Sequence, residues 1–296
     1  MQDFSGLWIP LVTPFEGGAV DHAALKRLVI HLGEQPIAGF VACGSTGEAA
    51  LLTDEESEAV QDTVLEASVR PVVLGVSGTT AAEVIAALRR AERHGFAGFL
   101  IPAPGYVRPS QQGLLRFFRD VADAAPQPVI AYDVPARTGV RIGPETLLAL
   151  AEHRNIRAVK DCGGDAQATE ALIRDGRLQV LCGDDARWFE MRCLGGAGAI
   201  AASAHLRTDL FAALDRHLAA GELHAAQALW RHLGPLTREL FVEPNPAPVK
   251  AMLARDDWLQ DELREPLLPA TRALVQRLSA MLADLPPPAL LSAIRR

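Results

Sequence analysis

The chain has 296 residues, 49% of them apolar and 22% charged, with a formal charge of −7. This composition excludes disordered, collagen-like and coiled-coil chains, and Lys and Arg scattered under a net negative charge argue against nucleic acid as the main partner. No apolar stretch approaches the ~18 residues a membrane helix needs, and residues 1–15 lack a basic start and a long apolar segment, so a cytoplasmic protein without a secretory leader is expected.

In chain order, short apolar runs alternate with helical patterns. The runs cover 7–12, 37–43, 71–76, 97–101, 129–132, 156–160, 178–182 and 198–202. Continuous apolar runs of this length suit strands buried on both faces, as in parallel sheets. Between them, Asp21 caps a helix whose Leu25, Leu28, Val29 and Leu32 share one face. Thr53 with Glu56 and Thr80 with Glu83 spell capping boxes, and Pro144 suits a first helical position. Further helices are predicted at 110–124, 165–175, 186–194 and 208–220. Eight strand–helix units in about 220 residues predict an α/β fold, a (β/α)8 TIM barrel. The first turn has no GxGxxG, which disfavours a doubly wound sheet. From 222 the pattern is purely helical: 222–242 with a break at Gly234-Pro235, then 246–255 and 267–284, stopped by Pro286-Pro287-Pro288. The expected organisation is a barrel domain over 1–221 carrying the active site and a C-terminal helical appendage over 222–296.

Residue scarcity narrows the chemistry. Only Lys26, Lys160 and Lys250 can supply an amine, and only Tyr106 and Tyr132 a phenol. The cysteines at 43, 162, 182 and 193 form no CxxC or metal spacing and read as reduced, buried small hydrophobes. The eight histidines show no HExxH or paired strand-end spacing, so neither a metal nor a cofactor is expected. In a barrel the active face lies at the carboxyl ends of the strands. There the sequence places Gly44-Ser45-Thr46-Gly47-Glu48, Tyr106, Tyr132 with Arg137-Thr138-Gly139, Lys160 and Gly183-Asp184-Asp185. A lysine ending an apolar strand is desolvated, which lowers its pKa and supplies a neutral amine for a ketone. The same residue also reads as a strand-end lysine snorkelling to solvent. Tyr132, one strand away, fits the acid/base group a Schiff base needs, or a satisfied buried tyrosine. Ser45 and Thr46 offer hydroxyls to a carboxylate, with glycines that let backbone N–H groups approach an anion.

Taken together, GSTGE, YxVPxRTG, the lysine of the sixth strand, GDD, GGxGxI at 195–200 and NPxPVK at 245–250 occur in the order of one family. The chain resembles the dihydrodipicolinate synthase and N-acetylneuraminate lyase family of pyruvate-dependent class I aldolases, over nearly its whole length. The resemblance implies Lys160 as the Schiff-base lysine and Tyr132 as the acid/base tyrosine. It implies Ser45 and Tyr106 as a proton relay, with Tyr106 reaching across a dimer interface, and hence a homo-oligomer, a dimer or a homotetramer. Thr46 would hold the pyruvate carboxylate, Gly183 and Ile200 would lie at the substrate, and Arg137 would receive the carboxylate of an aldehyde. Arginine suits that task because its planar fork binds carboxylates bidentately. Arg137-Thr138-Gly139 is similar to the synthase branch, which implies condensation of pyruvate with aspartate semialdehyde to 4-hydroxy-tetrahydrodipicolinate in lysine biosynthesis. The alternatives are cleavage of a sugar-acid or hydroxy-oxo-acid to pyruvate, and a non-catalytic ligand sensor. Asp133, Asp161-Cys162-Gly163, Gly105 and Val107 depart from the family pattern and bear on the aldehyde pocket.

Overall fold

The computed structural model describes residues 2–287, the side chain of Arg93 excepted. All eight apolar runs are strands: β1 (Gly6–Pro10), β2 (Gly39–Ala42), β3 (Val72–Gly75), β4 (Gly98–Pro102), β5 (Val129–Asp133), β6 (Ile156–Asp161), β7 (Gln179–Cys182) and β8 (Gly198–Ile200). They form one closed barrel in chain order. The fold is therefore the expected (β/α)8 barrel. Both strand faces are buried, so every position of β2 and of β5 is inaccessible. This is why these strands read as unbroken apolar runs rather than alternations.

Residue contacts divide the chain into two compact units. The first comprises residues up to Ser5 and Pro71–Ile200. It holds strands β3–β8 with helices α3 (Ala81–Ala91), α4 (Gln111–Ala124), the single turn α5 (Pro135–Thr138), α6 (Pro144–Leu150), α7 (Ala166–Asp175) and α8 (Trp188–Cys193). Its register sets Tyr132 opposite Lys160 and Lys160 opposite Leu181. The second comprises Gly6–Arg70 and the residues from Ala201 onward. It holds β1, β2 and helices α1 (His22–Gly33), α2 (Asp54–Ala67), α9 (Thr208–Ala219), α10 (Leu223–Glu239), α11 (Ala247–Arg255) and α12 (Arg272–Ala283).

The local signals hold. Asp21 accepts the Ala24 N–H at 2.9 Å, Thr53 and Thr80 complete capping boxes with Glu56 and Glu83, and Pro144 opens α6. Three expectations change. Helix α10 runs through Pro235 without a break. The missing donor is outweighed by burial on both sides, since Leu229, Leu233, Leu236 and Leu240 are at most 1% exposed. Helix α12 begins only after Pro269, where the Thr271 hydroxyl accepts the Leu274 N–H. The sequence over 13–20 also conceals a hairpin, Phe15–Glu16 with Ala19–Val20. Its turn glycines donate to the carboxylate of Glu262 at 2.8 and 2.6 Å, a partner no local pattern reveals. Pro288, the last of the three prolines, lies outside the described residues.

Candidate active site

In the first unit, β5 and β6 run parallel with Tyr132 and Lys160 in register. Both side chains are buried, at 6% and 7% exposed. The Lys160 Nζ stands 4.5 Å from the centre of the Tyr132 ring. Gly183, just after β7, makes room for this amine: a Cβ there would lie 2.8 Å from Lys160 Cε and Cγ and would collide with the Cys162 sulfur. The role visible for Gly183 is thus the absence of a side chain.

Cys162 was expected to be a small buried hydrophobe. It is half-buried and interacts with the Tyr132 hydroxyl, which donates to its sulfur. Cys193 departs further and is exposed, while Cys43 and Cys182 are buried as expected. Burial pushes the Cys162 thiol up to about 12, and burial likewise raises the Tyr132 phenol, against the pull of the Lys160 and Arg137 charges.

The balance at Lys160 differs from the sequence expectation. Burial, the largest influence, pulls its ammonium down. Tyr132, Cys162 and the carboxylate of Asp185 push it up, and the net direction is above the ordinary lysine value. The amine is accordingly an ammonium ion at neutral pH.

One residue beyond Tyr132, at the end of β5, Asp133 is 3% exposed and accepts the Ile142 N–H at 2.9 Å. Burial raises its carboxyl to about 6, with Asp161 adding to the rise and Ile142 and Arg141 opposing it. Asp161 binds the Thr169 hydroxyl and the Gly163 N–H, which keeps the loop after β6 tight. Arg137 sits exposed in α5, following Val134-Pro135. Ile200 ends β8 at 1% exposed. Tyr106 lies in the loop after β4 with φ at +66° and is 98% exposed in the single chain.

The second unit holds the other hydroxyls. Ser45–Gly47 forms a single 3-10 turn after β2, with Ser45 half-buried and Thr46 5% exposed. Thr46 Oγ1 accepts a hydrogen bond from Asn245 Nδ2 at 2.9 Å. Glu48, two residues on, adopts φ of +55° and is 3% exposed. Its carboxylate takes Lys250 Nζ at 2.7 Å and the Arg264 N–H at 2.9 Å. Lys250 also donates to the Thr13 carbonyl at 2.8 Å and lies 4.3 Å from the Phe15 ring centre. Sequence reasoning gave Asn245 and Glu48 no role, because their partners lie about 200 residues away in the chain. Among the described residues no three His, Cys, Asp or Glu side chains gather into a metal site, and no helix is long and apolar enough to cross a membrane.

A closed parallel barrel that seats a buried lysine against a tyrosine on adjacent strand ends has the architecture of an imine-forming aldolase. The family model for the dihydrodipicolinate synthetase family matches residues 3–285. The chain is 37% identical over 285 residues to the 4-hydroxy-tetrahydrodipicolinate synthase of Geobacter metallireducens, covering 95% of this chain and 98% of that one. It is 35% identical to the enzyme of the same name from Syntrophus aciditrophicus over the same shares. The solved structure of the 4-hydroxy-tetrahydrodipicolinate synthase from Methylacidiphilum fumariolicum superposes with a TM-score of 0.94 at 32% identity, covering 99% of both chains. The chain belongs to the dihydrodipicolinate synthetase family.

Proposed function

We propose that this chain is a class I aldolase that condenses pyruvate with aspartate semialdehyde to give 4-hydroxy-tetrahydrodipicolinate. The observation that carries the reading is Lys160 held in register with Tyr132, its Nζ 4.5 Å from the ring centre. The names of the relatives support the particular substrates.

The amine of Lys160, once deprotonated, attacks the ketone carbon of pyruvate. The ketone oxygen leaves as water after proton transfers through the Tyr132 hydroxyl, and an imine remains. Loss of a methyl proton gives an enamine, whose terminal carbon attacks the aldehyde carbon and forms the C–C bond. The amino group of the semialdehyde then replaces Lys160 at the imine carbon, closing the ring and freeing the lysine. One water is released overall. Ser45 and Tyr106 are assigned to the proton relay that serves Tyr132. Thr46 is assigned to the pyruvate carboxylate, Ile200 to the wall beside it and Arg137 to the semialdehyde carboxylate. Gly183 supports the amine by leaving it space. Tyr106, so exposed in one chain, is assigned to a homo-oligomer interface in a dimer or homotetramer. A cytoplasmic location belongs to the same reading.

Borohydride reduction in the presence of pyruvate, followed by peptide mass mapping, tests the reading. A pyruvyl label on the peptide carrying Lys160 is expected. Label on Lys26 or Lys250 alone, or none, overturns it. Because the resting lysine is an ammonium ion with a raised pKa, trapping should quicken about tenfold per pH unit between roughly pH 7 and 9. A flat profile contradicts the protonation state assigned to Lys160.

A further inference from the structure

We propose that Asn245 sets the polarity of the Thr46 hydroxyl, so that Thr46 offers its proton to the carboxylate of pyruvate; this rests on the function proposed above. The amide nitrogen of asparagine can only donate. With Nδ2 at 2.9 Å, Thr46 Oγ1 is the acceptor of that bond, and its own proton is left for another partner. An ionised carboxylate accepts and never donates. The hydroxyl is thus oriented for the one ligand group assigned to it. At 5% exposure Thr46 is shielded from bulk water, so the amide rather than solvent fixes its direction.

The same two segments meet a second time. Lys250, five residues after Asn245, holds Glu48, two residues after Thr46, at 2.7 Å. The Lys250 N–H returns to the Pro246 carbonyl at 2.9 Å, which ties the asparagine segment to the first turn of α11. Two contacts of different kind therefore fix the turn at Ser45–Gly47: an ion pair that holds it in place and an amide that orients its hydroxyl. Asn245 is a positioning residue, acting on substrate through Thr46.

Substitution of nearly equal size separates orientation from simple support. In Asn245→Asp the new carboxylate accepts the Thr46 proton, which reverses the bond and adds a negative charge. A supporting hydrogen bond survives that reversal; a donor aimed at pyruvate does not. Measured by steady-state kinetics and by borohydride trapping on Lys160, Asn245→Ala should raise the half-saturating pyruvate concentration about tenfold, and Asn245→Asp about a hundredfold. The kcat at saturating pyruvate should stay within about threefold, and Asn245→Ala should add nothing in a Thr46→Val background. The proposal is overturned if Asn245→Asp saturates like wild type or loses less than Asn245→Ala. It is equally overturned if Asn245→Ala costs as much with Thr46→Val as without it. Thr46→Val alone covers the case in which the Asn245 variants fail to fold: unchanged pyruvate saturation there removes the donor and the proposal with it. If wild type forms no pyruvate imine on Lys160, the proposed function fails instead, and the two failures are distinct.

Discussion

Two of the three lysines are buried, one in each unit, and they have opposite surroundings. Lys250 is fully enclosed, with a carboxylate at 2.7 Å, a backbone carbonyl at 2.8 Å and the Phe15 ring beneath it. Burial pulls its pKa down, against the upward push of Glu48. Lys160 is set against a phenol, a thiol and the bare Cα of Gly183, and its pKa moves up. A depressed pKa is therefore not what distinguishes the lysine proposed as the nucleophile. The kind of partner separates them: Lys250 is saturated by a carboxylate and a backbone carbonyl, whereas a phenol, a thiol and the charge of Asp185 act on Lys160.

The sharpest way to break this comparison is to remove each amine. Lys160→Met should abolish imine trapping and lower turnover on the order of 10⁴-fold or more, with the denaturation midpoint at or above that of wild type. Lys250→Met should do the reverse. It leaves the Glu48 carboxylate buried without its partner, a loss of about 3–5 kcal/mol in urea unfolding, while the fraction that remains folded still traps pyruvate. Equal stability losses in the two variants would erase the distinction. In the first unit, Arg137→Ala should spare imine formation and raise the KM for the semialdehyde. A lost charge-assisted pair costs about 1.5–3 kcal/mol, or roughly ten- to a hundredfold in kcat/KM. Arg137→Lys should recover only part, since an ammonium lacks the planar fork. Unchanged kinetics in Arg137→Ala would make it an ordinary surface cation.

The smallest effect concerns Asp133, whose carboxyl is raised to about 6 by burial. Its folded form holds a proton more tightly than the unfolded chain does. The stability this contributes is full below about pH 4 and is lost as pH rises through about 6. Asp133→Asn keeps an acceptor for the Ile142 N–H and removes the charge. The fall in unfolding free energy between about pH 4 and 6 should flatten, with a gain of about 1–2 kcal/mol at pH 7. A pH profile identical to that of wild type would assign that slope to other carboxylates.

Much of the fold was legible because its signals are local. Strands buried on both faces appear as unbroken apolar runs, and Asp21, Thr53 and Thr80 announce their helices by residues three positions away. Lys160 and Tyr132 were legible for a related reason, since each ends its run where apolar residues should give way to loop. What stayed hidden depends on distant partners. The uninterrupted passage of α10 through Pro235 depends on what its leucines bury. The hairpin over 15–20 is held by Glu262, and the Thr46 hydroxyl by Asn245. The upward direction at Lys160 required knowing that Tyr132, Cys162 and Asp185 converge on one ammonium.

Gly183 has a consequence for the timing of order in this reaction. A lysine side chain on a surface samples many rotamers, and fixing it costs up to about 2 kcal/mol of conformational freedom. Here the stem runs along the vacant side of a glycine, in a slot a single methyl group would close. That freedom is surrendered once, when the chain folds, rather than at every encounter with a ketone. In the proposed reaction the Lys160 arm is therefore held in its slot before pyruvate arrives, which makes it a preorganised nucleophile.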